Sequence, residues 1–509
     1  MAKFIMVTGG VASSLGKGTF CASIGMLLKE HGYKVTIEKF DPYLCIDPGN
    51  LSIKEHGEVF ILHDGARCDL DLGHYERFID EELPNEAETT SGMIYQHVID
   101  KERRGDYLGK TVQIIPHVTN EIKQRIYNAA KKTDADIVIT EIGGTVGDIE
   151  GLPYLEAIRQ VKKEVGDNDV IYVHLTLLPF LSSSSELKTK PTQHSVKELR
   201  GIGIQPDILI CRTQQDISSA MKEKIAMFCD VDVEAIIENK TVRSVYEVPI
   251  SLNNQNLDKV ILNKLKLPMT PINLESWNQM LYRVYNPKRT VKVGLVGRYA
   301  NCADAYLSVI EALKHAGSAQ SVAIEIEQIN PADITEGKVL SCQGLIMAGP
   351  NDDSVSDSEM NAVALMRNSR IPFLGIGFGF CAAAMEFGRN QCSLSPRSII
   401  LHDNKAKIGT YACKTTTGRN NTSKAYGQNI LVFERQFRNC EFARNCSNDF
   451  EKNGMLITAT SPDFKTVEII ELMDHPFFVA TMAHPEFSSR PNRPHQLFTV
   501  FVRAMTGDE

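Results

Sequence analysis

The chain has 509 residues, of which 43% are hydrophobic and 23% charged, and its formal net charge is −8. This length suffices for two or three domains, and the composition is ordinary for a globular protein. The negative charge argues against a general nucleic-acid-binding surface, and no apolar run reaches the roughly 20 residues that a membrane span requires. The twelve cysteines include no C-x-x-C pair, and Cys440 and Cys446 are too isolated to indicate zinc. We therefore expect reduced thiols in a cytoplasmic protein without a signal peptide.

The first predicted strand leads directly into a glycine-rich loop. The apolar run 4–7 precedes TGGVASSLGKGT (8–19), and a helical pattern follows. Glycines let backbone N–H groups approach an anion, a helix N-terminus adds partial positive charge, and Lys17 adds a full charge. The spacing departs from G-x-x-x-x-G-K-[ST], because five residues separate Gly10 from Gly16 and Gly18 replaces the hydroxyl that binds Mg²⁺. The pattern indicates a variant phosphate-binding loop; a glycine-rich turn with a solvated lysine is the alternative.

Charged residues follow the next predicted strands. Lys39 lies at the C-terminal end of the strand at 34–40, and Glu141 ends the strand at 136–141. Ligands of open α/β sheets bind at the carboxyl ends of strands, and Mg²⁺ prefers carboxylate and phosphate oxygens. Asp69 and Asp71 can point the same way from an extended segment. A solvated lysine and an acidic turn that caps a helix are the alternatives at these positions.

A compact set of donors follows the predicted strand at 171–177. Lys188, Lys190 and Gln193 lie close together in the sequence and suit a second polyphosphate, although a solvated charge pair remains the alternative. A further strand at 206–212 ends in Arg212. Because strands and helices alternate, we expect a doubly wound, mostly parallel sheet covered on both faces.

A second α/β pattern begins near residue 291. Residues 268–290 contain three prolines around the only tryptophan and are predicted to form a linker. Predicted strands follow at 291–297, 322–329, 344–348 and 373–377. We therefore predict domains at 1–267 and 291–509, each with a doubly wound, mostly parallel sheet.

Seven stretches of the first half jointly resemble the CTP synthase family. The resemblance covers residues 3 to about 260 and continues, weaker, over the second half. It implies a P-loop-like, ATP-dependent amidoligase domain followed by a flavodoxin-like class I glutamine amidotransferase domain. Such enzymes convert UTP to CTP with ATP, Mg²⁺ and ammonia released from glutamine, as homotetramers that also form filaments. The stretches are VTGGVASSLGKG, DPYLCIDPGN, EHGEVF, DLDLGHYERF, KERRGDYLGKTVQIIPH, EIGGTVGDIEGLP and KTKPTQHSVKELRGIGIQPDILICR.

The resemblance also implies roles for individual residues. Lys17, Lys39 and His56 would serve catalysis, with His56 near the entry of ammonia, and Asp71 and Glu141 would bind Mg²⁺. The ATP-binding residues would be Ser14, Leu15, Gly16, Lys17, Gly18, Thr19 and Arg212, and the UTP-binding residues Ser13, Lys188, Thr189, Lys190, Gln193 and Lys224. The first half departs from the family at Ile53, Ser185, Thr241 and Arg243.

The second half departs from the family at the nucleophile. Class I amidotransferases place a cysteine on a strained turn, G-x-C-x-G-x-Q, where it meets oxyanion amides and a histidine. Here the sequence is GIGFGFC (375–381), so Gly377 stands at the nucleophile position. Cys381 lies one helical turn further on and is expected to point away. His484 and Glu486 keep the identities of the other two triad members.

Two further glutaminase segments are altered. The family's oxyanion loop P-G-G-F-G-x-R-G is replaced by AGPNDD (348–353), and Pro350 has no N–H to donate. The family's H-R-H-R segment is replaced by QFRN (436–439). We therefore expect no glutaminase activity, with His484 and Glu486 left in a degenerate site.

Three functions remain open at this stage. The first is a ligase that forms CTP from UTP, ATP and free ammonia. The second is a ligase that joins an intact amine or amino acid to UTP and yields an N4-substituted cytidine nucleotide. The third is a non-catalytic, nucleotide-binding partner or regulator of an active CTP synthase.

Overall fold

The computed structural model describes residues 2–12, 15–181, 186–349, 354–427 and 429–507. The chain divides into two compact units. The first unit contains residues 1–50 and 74–274, and the second contains residues 51–73 and 275–509. The short segment 51–73 therefore belongs to the second unit, although it interrupts the sequence of the first.

The elements of residues 2–274 alternate between strands and helices over most of their length. The strands are β1 (Lys3–Gly9), β2 (Val35–Asp41), β3 (Phe60–Ile61), β4 (Arg67–Cys68), β5 (Glu88–Thr90), β6 (Ile137–Ile142), β7 (Val170–Leu177), β8 (Phe180–Leu181), β9 (Glu186–Leu187), β10 (Ile208–Thr213) and β11 (Ile236–Lys240). The helices are α1 (Lys17–Glu30), α2 (Ile53–His56), α3 (Asp71–Ile79), α4 (Ser91–Arg103), α5 (Thr119–Thr133), α6 (Leu152–Val165), α7 (Lys190–Gly201), α8 (Ser219–Cys229), α9 (Val248–Asn254) and α10 (Leu257–Lys264).

The elements of residues 275–507 begin with a helix in the region predicted to be a linker. The strands are β12 (Arg289–Val296), β13 (Val322–Ile329), β14 (Gly344–Gly349), β15 (Phe373–Gly377), β16 (Ile400–Thr415), β17 (Leu431–Phe442), β18 (Met455–Thr460), β19 (Val467–Leu472) and β20 (Phe478–Thr481). The helices are α11 (Glu275–Tyr285), α12 (Leu307–Ala319), α13 (Glu336–Leu340), α14 (Asp357–Ser369), α15 (Phe378–Asn390), α16 (Asn421–Tyr426), α17 (Ser447–Lys452) and α18 (Gln496–Thr506).

The described strands of the first unit form a seven-stranded sheet in the order β11-β10-β7-β1-β6-β2-β5. Every pairing in it is parallel. Such sheets are buried on both faces, which explains the nearly continuous apolar runs of β1, β6 and β7. Residues 4–9 of β1 are all buried. The predicted parallel sheet is confirmed.

The second unit contains a nine-stranded sheet in the order β13-β12-β14-β15-β20-β19-β18-β16-β17 among the described residues. The five strands from β13 to β20 pair in parallel, and β19, β18, β16 and β17 extend the sheet in antiparallel fashion. The predicted α/β fold is confirmed, while the antiparallel extension was not anticipated. The edge strand β17 alternates between buried and half-buried residues over its second half and has no continuous apolar run. No described helix has both the length and the apolarity needed to cross a membrane.

Helix α1 packs tightly against β2 and α3 through Gly25. A Cβ at this position would lie 2.9 Å from Ile37 Cδ1 and 3.1 Å from Ile79 Cγ2. We expect Gly25→Ala to lower the free energy of unfolding by about 1–3 kcal/mol through overpacking. The better helix propensity of alanine, worth about 1 kcal/mol, offsets part of this cost.

Gly201→Ala is the matched control, because no atom lies within 4 Å of its Cβ position at the end of α7. Equilibrium urea unfolding of both full-length variants measures the difference. Equal stability of the two variants would contradict the close packing of α1.

Candidate functional sites in the two units

The glycine-rich loop joins β1 to α1 in the first unit. Gly16 adopts φ 86° and ψ 37°, a left-handed conformation that favours glycine, and directly precedes the first turn of α1. Gly10 lies so close to Ser195 that a Cβ would stand 1.7 Å from the Ser195 Oγ. Leu15 and Gly18 are buried, and Thr19 is half-buried. Ser13 and Ser14 lie outside the described residues.

Lys17 holds the loop against the segment that follows β6. Its Nζ donates to the Gly144 carbonyl at 2.6 Å, and the Val146 N–H donates to the Gly9 carbonyl at 2.7 Å. The Lys17 side chain also covers Gly9, where a Cβ would lie 2.9 Å from Lys17 Cδ. The ammonium group therefore stands between two glycine-rich segments at the carboxyl ends of β1 and β6.

A buried histidine that the sequence analysis did not select lies beneath this loop. His174 Nδ1 is 2.8 Å from Thr8 Oγ1, and its Nε2 is 2.7 Å from Ser195 Oγ. Burial and, to a smaller extent, the charge of Lys17 lower the pKa of His174 to about 3. The imidazole is therefore neutral near pH 7 and adds no positive charge beside Lys17. Its sequence signal was a lone histidine inside the apolar run 171–177.

Charged side chains stand at the carboxyl ends of β2 and β6. Lys39 Nζ lies 3.3 Å from Asp41 Oδ2, and both residues are buried. Lys39 and Glu141 are register partners on the adjacent strands. Glu141 is buried, and its Oε2 accepts a hydrogen bond from the Tyr75 hydroxyl at 2.5 Å. The two candidate residues are therefore brought to the same edge of the sheet.

The second carboxylate assigned to Mg²⁺ belongs to the other unit. Asp71 begins α3, and its N–H donates to Asp69 Oδ1 at 3.0 Å. Of the two interpretations of Asp69 and Asp71, the structure shows the acidic turn at a helix start and not the extended segment. No group of three or more His, Cys, Asp or Glu side chains suited to a metal occurs among the described residues. The oxygen-only chemistry of Asp71 and Glu141 fits Mg²⁺, which commonly takes one or two carboxylates together with substrate phosphates.

The candidate UTP-binding residues lie around the start of α7. Lys188 pairs with Glu186, and Gln193 Nε2 donates to Thr189 Oγ1 at 3.1 Å. Lys190 Nζ lies 5.9 Å from the centre of the Phe228 ring, and Lys224 is exposed on α8. Lys188, Thr189, Lys190 and Gln193 are thus neighbours along one turn. Ser185 lies outside the described residues.

Arg212 lies at the carboxyl end of β10. Its guanidinium donates to the Lys240 carbonyl at 3.3 Å and to Thr241 Oγ1 at 3.1 Å. Burial lowers the pKa of Arg212. Thr241, at a position where the family has an acidic residue, therefore contacts Arg212, which was predicted to bind near the adenine of ATP.

The second unit keeps the backbone of a nucleophile elbow. Gly377 ends β15 with φ 55° and ψ −104°, and α15 begins at the next residue. An added Cβ would lie 2.6 Å from both Cε1 and Nε2 of His484. The imidazole therefore occupies the space that a side chain at position 377 would need.

His484 and Glu486 form a buried pair opposite Gly377. Their Nδ1 and Oε1 atoms lie 2.8 Å apart, and the two side chains are 5% and 6% exposed. His484 stacks on Phe487, with ring centres 5.5 Å apart. His484 Nε2 and Glu486 Oε2 are buried without a hydrogen-bond partner among the described residues. The dyad is thus intact in geometry, but its outer nitrogen faces a glycine.

A cavity of about 50 Å³ adjoins this pair within the second unit. The carboxylate of Glu58, which also lines it, accepts the Ser308 N–H at 2.8 and 3.0 Å. The sequence analysis did not select Glu58, whose partner is 250 residues away.

His56, which was predicted to lie near the entry of ammonia, is exposed at the end of α2 and does not line this cavity. The remaining lining residues are Ile53, Val59, Ala305, Tyr306, Val309, Ala348, Gly349, Phe437 and Phe487.

Cys381 lies away from the elbow, in the core of the second unit. It is buried, and its Sγ is 3.4 Å from the Sγ of Cys440 on β17. The two residues belong to an apolar cluster with Phe380 and Phe442. Cys381 therefore packs as a structural thiol. Residues 350–353, which replace the oxyanion loop, lie outside the described residues.

Comparisons with known proteins cover both halves of the chain. Residues 3–267 match the family model of the CTP synthase N-terminus, and residues 301–504 match that of class-I glutamine amidotransferases. The CTP synthase of Moorella thermoacetica is 49% identical over 527 residues, which cover 99% of this chain and 98% of the relative. The CTP synthases of Ruminiclostridium cellulolyticum and Caldanaerobacter subterraneus subsp. tengcongensis are each 48% identical, with the same coverage. The chain therefore belongs to the CTP synthase family.

Proposed function

We propose that the protein is an ATP- and Mg²⁺-dependent ligase that forms CTP from UTP and free ammonia and does not hydrolyse glutamine. The single observation that carries the proposal is the glycine at the elbow. Gly377 has the backbone of a nucleophile position but no atom that could form a thioester with glutamine. Membership of the family supports the ligase activity, and glycine at the elbow supports the absence of glutamine hydrolysis.

Neither Cys381 nor Cys413 compensates for the missing nucleophile. A nucleophilic cysteine must reach its base within hydrogen-bonding distance and needs a lowered pKa. Cys381 contacts Cys440 instead, inside an apolar cluster. Cys413 lies in the same unit, but burial raises its pKa well above the ordinary value for a thiol. These thiols would therefore not replace the nucleophile.

The ligase reaction needs charge neutralisation and positioning more than covalent chemistry. The O4 of UTP is a poor leaving group, and transfer of the γ-phosphoryl group of ATP converts it into a good one. Ammonia then attacks C4, and phosphate departs. Lys17 would stabilise the charge that develops on the transferred phosphoryl group, and Lys39 would lie nearby at the end of β2. Mg²⁺, when bound by Glu141 and Asp71, would neutralise phosphate charge.

The remaining assignments concern substrate binding. Lys188, Lys190 and Lys224 would bind the triphosphate of UTP, with Gln193 and Thr189 as neutral donors, and Ser13 would contribute from the loop. Ser14 to Thr19 would hold the phosphates of ATP through backbone N–H groups and the helix start. Arg212 would contact the adenine. By analogy with the family, the UTP site would span subunits of a homotetramer.

We expect the purified full-length protein to form CTP from UTP, ATP, Mg²⁺ and ammonium, with no CTP formation from glutamine above the buffer blank. The reason is that Gly377 offers no thiol for attack on the amide. Chromatographic measurement of CTP, with glutamate release assayed in parallel, tests this expectation. Cys381→Ser is the control and should change neither result. CTP formation from glutamine at a rate near that with ammonium would exclude the proposal.

We expect Gly377→Cys alone not to restore glutaminase activity. The new Cβ would stand 2.6 Å from the His484 ring, so the imidazole must move before a thiolate can form beside it. The replacement of the oxyanion loop is a second obstacle, since removing one such donor costs roughly 10²–10³ in rate. Glutamate release and mass-spectrometric detection of a thioester are the measurements. A thioester formed by this single variant would contradict the expectation.

We expect Lys17→Met to reduce ammonium-dependent CTP formation by about 10²-fold or more, because the charge beside the transferred phosphoryl group is lost. Lys29→Met is the matched control on the same helix. Lys29 pairs with Glu81 at 2.5 Å in the last turn of α1, away from the loop. Its loss should leave kcat within about twofold, since exposed ion pairs contribute little. Equal rates for the two variants would remove Lys17 from the proposed mechanism.

A further inference from the structure

We propose that the cavity beside His484 and Glu486 is a binding site for the ammonium ion. This inference rests on the proposed use of free ammonia. The pair of His484 and Glu486 in the second unit would bind the nitrogen source. His484 and Glu486 would thus bind a cation and would not activate a nucleophile, as they would in a glutaminase triad.

The dyad presents two hydrogen-bond acceptors without donors. Glu486 Oε1 lies 2.8 Å from His484 Nδ1, so the carboxylate accepts and Nδ1 carries the proton. In the neutral imidazole, the opposite ring nitrogen, Nε2, is then an acceptor. Nε2 and Glu486 Oε2 are both buried and lack a partner among the described residues. An unpaired buried acceptor is costly, so the pair favours a ligand that donates N–H groups.

The size and walls of the cavity restrict the ligand further. Its volume is about 50 Å³, which admits species of the size of water. Most of its wall is apolar, so a larger polar nucleophile such as an amino acid would leave its own groups unpaired. The apolar wall residues are Ile53, Val59, Ala305, Val309, Ala348, Phe437 and Phe487.

The charged and titratable residues that line the cavity favour a cation. They are Glu58, Tyr306, His484 and Glu486, of which two are carboxylates. The Glu58 carboxylate is already hydrogen-bonded to Ser308 and serves as a fixed negative charge. Ammonium combines a positive charge with four N–H donors in a small volume. Potassium resembles ammonium in size and charge but has no hydrogen to donate. Comparing the two ions therefore distinguishes hydrogen bonding from charge alone.

Direct binding is tested by thermal unfolding of the full-length protein in ammonium chloride and in potassium chloride at equal ionic strength. We expect ammonium to raise the Tm above that in potassium. The difference should vanish in Glu486→Gln, which removes the carboxylate charge, and in Ala305→Leu, which fills the cavity without altering the dyad. Should Glu486→Gln not fold, Ala305→Leu decides.

The matched control is Glu434→Gln. Glu434 forms a second buried pair with a histidine in the same unit, since its Oε1 lies 3.0 Å from His495 Nε2. Neither residue lines the cavity. The ammonium-specific shift should persist in this variant. Equal Tm values in the two salts for the unaltered protein, a shift that persists in Ala305→Leu, or its loss in Glu434→Gln would each overturn the proposal.

The kinetic counterpart separates this inference from the proposed function. We expect Glu486→Gln to raise the KM for ammonium about tenfold or more, as loss of a hydrogen bond to a charged group implies, with kcat at saturating ammonium unchanged. An unchanged KM would overturn the site while CTP formation from ammonium stands. Ammonium-specific stabilisation without CTP formation would instead overturn the proposed function and leave the site in place.

Discussion

Parallel strands bring their carboxyl ends to one edge of a sheet, and the candidate sites of both units depend on this constraint. In the first unit β1, β2 and β6 end at Gly9, Asp41 and Ile142, next to the loop that carries Lys17. In the second unit β14 and β15 end at adjacent positions, because Gly349 and Gly377 are register partners. The register of parallel strands therefore brings residues at the strand ends close together, although they are far apart in the sequence.

The same constraint explains which parts of the fold the sequence could predict. A strand that is buried on both faces is a continuous apolar run, so β15 was predicted with its observed bounds. The edge strand β13, in which only the two end residues are buried, was also predicted with its observed bounds. The antiparallel strands β16 and β17 have one partly exposed face and carry many charged residues, so their sequences resemble loops. Pattern reading therefore found β1, β2, β6, β7 and β10 of the first sheet and β12–β15 of the second, and it missed the edge strands β5 and β11 and all of β16–β20.

Long-range contacts account for what the sequence could not supply. The loop motif identified Lys17, because glycine spacing and a following helix are local signals. His174 and Glu58 gave no such signal, since their partners Ser195 and Ser308 are 21 and 250 residues away. The grouping of residues 51–73 with the second unit likewise depends on contacts with distant elements. Gly377 could be singled out from the sequence because a family motif fixes its position, whereas its proximity to His484 is a long-range contact that only the structure shows.

The elbow shows why glycine is the residue that this backbone tolerates best. Close packing of α15 on the sheet fixes the turn, because a Cβ at Gly379 would lie 2.0 Å from the Met347 carbonyl oxygen. The chain is thereby held at φ 55° and ψ −104° at Gly377. This conformation costs a residue with a side chain about 1–3 kcal/mol, whereas glycine adopts it without that cost. An active nucleophile at this position would need the same conformation. Glycine at position 377 avoids this strain, and the absence of a Cβ leaves room for the His484 imidazole, whose Cε1 and Nε2 lie 2.6 Å from the position that a Cβ would take.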